Sequence, residues 1–150
     1  MEHYINCCKK LGLTDSIRHD LDNMILIDFI SANTDRHWSN FGLIRDSSTL
    51  QAKRIAPLYD NGAALFAKIP TLDIKGENKK LKCLSFNSTQ EENIKQVNNF
   101  DILKKPEINH ITDILGNEFS KNIHMDEVRI KEITLRIEQR IKMALKRKML

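Results

Sequence analysis

Three residues of this chain have the types and order that phosphoryl transfer to a hydroxyl requires. Asp35 precedes Asn40 by five positions, and Asp60 lies further along with Gly62 two residues after it. A carboxylate such as Asp35 orients an attacking hydroxyl. Asn40 and Asp60 offer oxygen atoms of the kind Mg²⁺ accepts beside phosphate and water. His37, inside the same loop, has two readings: a contact to phosphate or substrate, or a brace for its own loop through a backbone hydrogen bond.

Spacing alone does not select this pair, because Asp28/Asn33 and Asp73/Asn78 have the same separation. The elements around it do. Thr14, Asp15 and Ser16 are helix-capping types, and Leu21, Met24, Ile25, Ile27, Phe29 and Ile30 follow as an apolar face broad enough for a helix buried on most sides. That helix is expected to end near Ser31-Ala32-Asn33, where Asn33-Thr34-Asp35 suits a turn. Residues 41–45 and 53–58 read as two short strands around Asp46-Ser47-Ser48, and Tyr59-Asp60-Asn61-Gly62 breaks the second. Asp73 has no such hairpin after it, and Asp28 lies within the helix. Buried helix, polar loop with Asp and Asn, hairpin, and second Asp are the order in which protein kinases hold their catalytic and metal-binding groups.

The remainder is expected to be mostly helical. Helices are read at about 90–100, 106–117 and 126–148, with residues 69–89 a long, lysine-rich surface segment. Val128, Ile133, Ile137, Ile141 and Leu145 form a core-facing stripe on the last helix. Its mixed basic and acidic residues read as an exposed structural face, so direct nucleic-acid binding is not expected. With 150 residues, 41% hydrophobic and 29% charged, the chain fits one globular domain. The net charge of +4 permits contact with phosphate. Three cysteines without C-x-x-C spacing support neither a disulfide framework nor a zinc site. No apolar run approaches membrane-spanning length, so a cytoplasmic protein without membrane contact is expected.

Asn33-Thr34-Asp35-Arg36-His37-Trp38-Ser39-Asn40-Phe41-Gly42, followed by Ala56-Pro57-Leu58-Tyr59-Asp60-Asn61-Gly62, resembles the C-terminal domain of HipA-like kinases. These are bacterial serine/threonine kinases, several of them toxins of toxin–antitoxin pairs. The resemblance spans roughly residues 31 to 66. It implies a mainly α fold with a small β-hairpin, a kinase C-terminal lobe without its N-terminal lobe. One such lobe would occupy 1–150, its catalytic and metal-binding loops at about 31–66 and a helical bundle at about 90–148. It implies Asp35 as catalytic base with His37 beside it, and Asn40 and Asp60 as ligands of Mg²⁺ against the phosphates of ATP. A protein substrate, and an antitoxin or a separate N-terminal-lobe subunit, are the implied partners.

Two features depart from ordinary protein kinases. Asp35-Arg36-His37 replaces His-Arg-Asp, and Asp60-Asn61-Gly62 replaces Asp-Phe-Gly; the first order is also similar to phosphoinositide kinases, which leaves a lipid substrate open. The five glycines are too scattered to form a phosphate-covering loop, and 34 residues before Asp35 are too few for the helix and an upper lobe together. The chain alone is expected to transfer phosphate poorly.

Each residue also has a structural reading. Asp35 and Asp60 suit turns, Asn40 suits a hydrogen bond within its loop, Arg36 suits a pair with Asp28, and Trp38 and Phe41 suit packing. A truncated kinase fold that only docks a partner is the competing function. A metal phosphohydrolase is disfavoured because four of the five histidines lie far from the acids.

Overall fold

The computed structural model describes residues 1–13, 16–74, 81–104 and 106–148. Thr14 and Asp15 of the expected cap, and Lys75, Asn78, Lys79 and Lys80 of the lysine-rich segment, lie outside the described residues. Helix α1 (Glu2–Lys10) leads into α2 (Ser16–Ile30), and the hairpin of β1 (Leu43–Arg45) and β2 (Ala52–Ile55) follows. Then come α3 (Gln90–Ile94), a 3₁₀ turn at Asp101–Lys104, α4 (Pro106–Asn109), α5 (Ile111–Ser120) and α6 (Glu127–Lys148).

Helix α2 is the axis of the molecule, as its apolar composition requires. Ile17, Leu21 and Met24 face α1, Leu13, Phe41 and Ala52. Ile25, Leu26, Phe29 and Ile30 enter a second, larger core with Ile94, Val97, Ile133, Ile137, Ile141 and Ala144. A helix buried on two sides needs apolar residues around most of its circumference. Ile27 is the exception and is partly exposed.

The end of α2 shapes the loop that follows. Ala32 takes a left-handed backbone conformation (φ 55°), and the Asn33 N–H donates to the Asp28 carbonyl at 2.9 Å. This is a Schellman-type ending, usually built on glycine, here built on an alanine packed into the core. The hairpin pairs Leu43 with Ile55 and Ile44 with Arg54 in antiparallel register, with an irregularity before Arg45. At its turn, Asp46 Oδ1 accepts from the Ser48 and Thr49 N–H groups and the Ser48 hydroxyl, while Lys53 Nζ lies 2.7 Å from Oδ2.

Several expectations need correction. The helix expected over 90–100 ends at Ile94, because the buried Asp22 carboxylate accepts the Asn98 and Asn99 N–H groups at 3.1 and 2.9 Å and draws the chain out of the helix. The helix expected over 106–117 is two, α4 and α5, parted at His110. Residues 69–89 are not wholly at the surface: Ile74, Leu81 and Cys83 are buried. On α6, Ile133, Ile137 and Ile141 are buried as expected, but Val128 and Leu145 are exposed. Arg140 of α6 points inward. Its guanidinium lies 4.2 Å from the Phe29 ring centroid and donates to the Phe29 carbonyl and to Gln90 Oε1. Burial pushes this guanidinium down to about 10. Its hydrogen bonds and its place over the ring are those of a charged group.

Among the described residues, no helix is long and apolar enough to cross a membrane.

Candidate active site

The loop 31–42 carries Asp35, His37 and Asn40 from the end of α2 into β1, and β2 returns the chain to Tyr59-Asp60-Asn61. Asp28, in the last two turns of α2, anchors both. Its Oδ1 accepts from Asn33 Nδ2 at 2.9 Å. Arg36 grips the same carboxylate with a fork, Nε to Oδ2 and one terminal nitrogen to Oδ1, each at 2.9 Å.

The rest of the Arg36 guanidinium joins the two loops. One terminal nitrogen donates to the Asn40 carbonyl at 2.8 Å and the Tyr59 carbonyl at 2.6 Å, and the other reaches Asn61 Oδ1. Every guanidinium N–H thus has an acceptor, which a buried arginine requires. Arg36 therefore serves the structural role expected of it, and it also brackets Asp60 by holding both neighbours. The Tyr59 hydroxyl adds a second tie, donating to the Ser39 carbonyl at 2.8 Å.

Asp35 is partly exposed, with its backbone carbonyl accepting from Asn40 Nδ2 at 2.8 Å and its N–H donating to Asn33 Oδ1 at 3.2 Å. With the Asn40 amide nitrogen engaged, the side-chain oxygen is the atom left for a cation. Asp60 is exposed and holds a left-handed backbone conformation (φ 54°), uncommon outside glycine though tolerated by Asp. His37 braces its loop: Nδ1 accepts from the Ser39 N–H at 3.2 Å, so the neutral ring carries its proton on Nε2. The Asn40 side chain thus meets the Asp35 backbone directly, while Arg36 ties the two neighbours of Asp60 to the same loop.

Trp38 packs as expected but is not hidden. Tyr4, Trp38, Phe41 and Phe86 form a tetrad whose ring centroids all lie between 5.4 and 6.1 Å apart. Phe41 is buried and anchors the start of the hairpin, whereas Trp38 is 56% exposed.

Sequence reasoning missed two groups. Gln90 Nε2 donates to the Asn33 and Asp28 carbonyls, connecting Arg140 to the loop from below. Lys68 stands with Nζ 3.4 Å from Asp35 Oδ2; the only signal for it was a basic residue in the segment after Asp60.

Asn40 Oδ1 and the Asp60 carboxylate are oxygen donors of the kind Mg²⁺ accepts. Among the described residues, no three His, Cys, Asp or Glu side chains gather into a group that could hold a metal ion.

Helices around a small hairpin, with one polar loop entering it and another leaving it, define a partial kinase-like fold. Among solved structures the chain is similar to the crystal structure of a Helicobacter pylori proinflammatory kinase, CtkA, with a TM-score of 0.64 and 20% sequence identity. The match covers 95% of this chain and 62% of that one, so the chain spans less than two thirds of that kinase. No family model matches the sequence, and no curated protein matches it.

Proposed function

We propose that this chain is the catalytic and metal-binding half of a HipA-like serine/threonine protein kinase. The observation that carries the reading is Arg36, whose single guanidinium fixes the Asp35–Asn40 loop against the Asp60 turn. A turn-forming Asp or Asn needs no such tie to a second loop; a cation shared between two loops does.

In this reading Asp35 orients the acceptor hydroxyl and takes its proton as the oxygen attacks the terminal phosphorus of ATP. The bond from that phosphorus to the bridging oxygen breaks, and ADP leaves. Asn40 Oδ1 and the Asp60 carboxylate hold Mg²⁺, which when bound neutralises charge on the phosphates. The His37 bond to the Ser39 N–H keeps the loop in register. The remainder of the nucleotide cleft comes from an upper lobe, on a longer chain or on a separate subunit. A protein substrate and an antitoxin are the partners this reading assigns.

Calorimetric titration of the chain with ATP, with and without Mg²⁺ and beside Asp60→Ala, tests it. Mg²⁺-dependent binding that the variant loses is the expected result. No Mg²⁺-dependent binding would favour the competing reading, a kinase-derived module that only docks a partner.

A further inference from the structure

Lys68 and Asp35 are 33 residues apart in sequence, yet their charged groups lie 3.4 Å apart. The backbone that brings Lys68 there is under unusual constraint. Leu65 and Phe66 both adopt left-handed conformations, with φ of 55° and 58°. For bulky side chains this is a true outlier, and it persists only where surrounding structure imposes it.

Two helices impose it. From the end of α2, the Ser31 carbonyl accepts the Leu65 N–H at 2.6 Å. From α6, Arg129 donates to the Phe66 carbonyl at 2.9 Å, the Ile69 carbonyl at 3.0 Å and the Thr71 hydroxyl at 3.2 Å. The Phe66 and Ile69 carbonyls flank Lys68, so its backbone is pinned on both sides.

The ion pair itself does not account for this. The side chains of Lys68 and Asp35 are 69% and 37% exposed, and exposed pairs of this kind contribute little to stability. Strained backbone and a three-point arginine clamp serve to deliver an ammonium to the candidate base. A lysine is a compact charge with three donors. Phosphoryl transfer spreads negative charge over the oxygens of the moving group, which here passes beside Asp35.

We propose that Lys68 is a ligand for the terminal phosphate of ATP, with Arg129 as the residue that positions it. This rests on the kinase reading of the same site. Bound nucleotide replaces part of the Asp35 contact, the ammonium moving from carboxylate to phosphate oxygen.

The test is titration of the chain, of Lys68→Met and of Lys68→Arg with Mg·ATP and, separately, with Mg·ADP. A charge-assisted contact to the terminal phosphate predicts that Lys68→Met weakens Mg·ATP about tenfold or more. Mg·ADP, which lacks that phosphate, stays within about twofold, and Lys68→Arg recovers most of the loss. Equal weakening of both nucleotides, or no weakening, overturns the assignment while leaving the kinase reading in place. A wild-type chain that binds neither nucleotide overturns this assignment and favours the partner-docking reading of the chain.

Discussion

Arg36 and Asp28 meet as a two-pronged pair, Nε and a terminal nitrogen each 2.9 Å from a different carboxylate oxygen, with the arginine almost wholly buried. The pair lies beneath the loop that holds Asp35 and Asn40, and the arginine's remaining donors reach across to Tyr59 and Asn61. Asp28 lies two residues before the end of α2, and its own carbonyl accepts from the Asn33 N–H and from Gln90 Nε2. Position in the helix, the left-handed turn at Ala32 and the arginine fork thus act on one small region. An arginine suits this task because its planar fork can serve a carboxylate and two backbone carbonyls at once, which a lysine cannot.

Removing one partner leaves a buried charge alone. Asp28→Ala and Arg36→Met should each destabilise the fold by about 3–5 kcal/mol in urea unfolding. Replacing both, as Asp28→Leu with Arg36→Met, should cost clearly less than the sum, because no charge is stranded. If the kinase reading holds, the double variant should nevertheless weaken Mg·ATP binding. The guanidinium no longer ties the Asp35–Asn40 loop to the Asp60 turn, and the Tyr59 hydroxyl bond to the Ser39 carbonyl is left to hold them. Full binding by the double variant would show that Arg36 stabilises the lobe without positioning the site.

Tyr4 gives a readout of the aromatic tetrad that carries Trp38. Burial, aided by the Cys8 thiol beside it, pushes the phenol from its usual value near 10 up to about 12. The unfolded phenol loses its proton first, so the folded state binds more protons between about pH 10 and 12. Stability from this group is therefore complete below about pH 10 and declines as pH rises towards about 12. Ultraviolet titration should show one of the two tyrosines ionising late, and Tyr4→Phe should remove that late step. Two tyrosines titrating together at the ordinary value would contradict the packing of the tetrad.

What could be read from the sequence was local. The order of helix, loop, hairpin and turn follows from side-chain periodicity and turn chemistry, and Asp28 with Arg36 is near enough in sequence to be paired in advance. Thr89 capping Glu92 at the start of α3 is equally local. Other determinants join residues that no short pattern connects. Arg129 reaches Phe66 and Arg140 reaches Phe29, although charge patterning places both arginines on a solvated face. A long side chain can carry its head group inward across a helix surface, and a helix-face pattern does not register that. Lys68 escaped for the same reason: its distance from Asp35 is set by Arg129 and Ser31, not by its neighbours in sequence.

Asp22 is the plainest case of a long-range contact overriding a helical pattern, and it can be tested directly. Its carboxylate has no solvent exposure. It accepts from Arg18 Nε at 3.1 Å on one oxygen and from the Asn98 and Asn99 N–H groups on the other. An acceptor for two successive backbone donors competes with the helix that would otherwise use them. Asp22→Ala removes that competitor and leaves the two N–H groups to water or to one another's turn. The expected destabilisation is about 2–3 kcal/mol, with Asn98 and Asn99 the first amides to lose hydrogen-exchange protection. Asp22→Asn keeps one acceptor oxygen and should retain more of the stability. Unchanged protection at Asn98 and Asn99 in Asp22→Ala would mean that the chain leaves the helix at Ile94 for a reason other than this carboxylate.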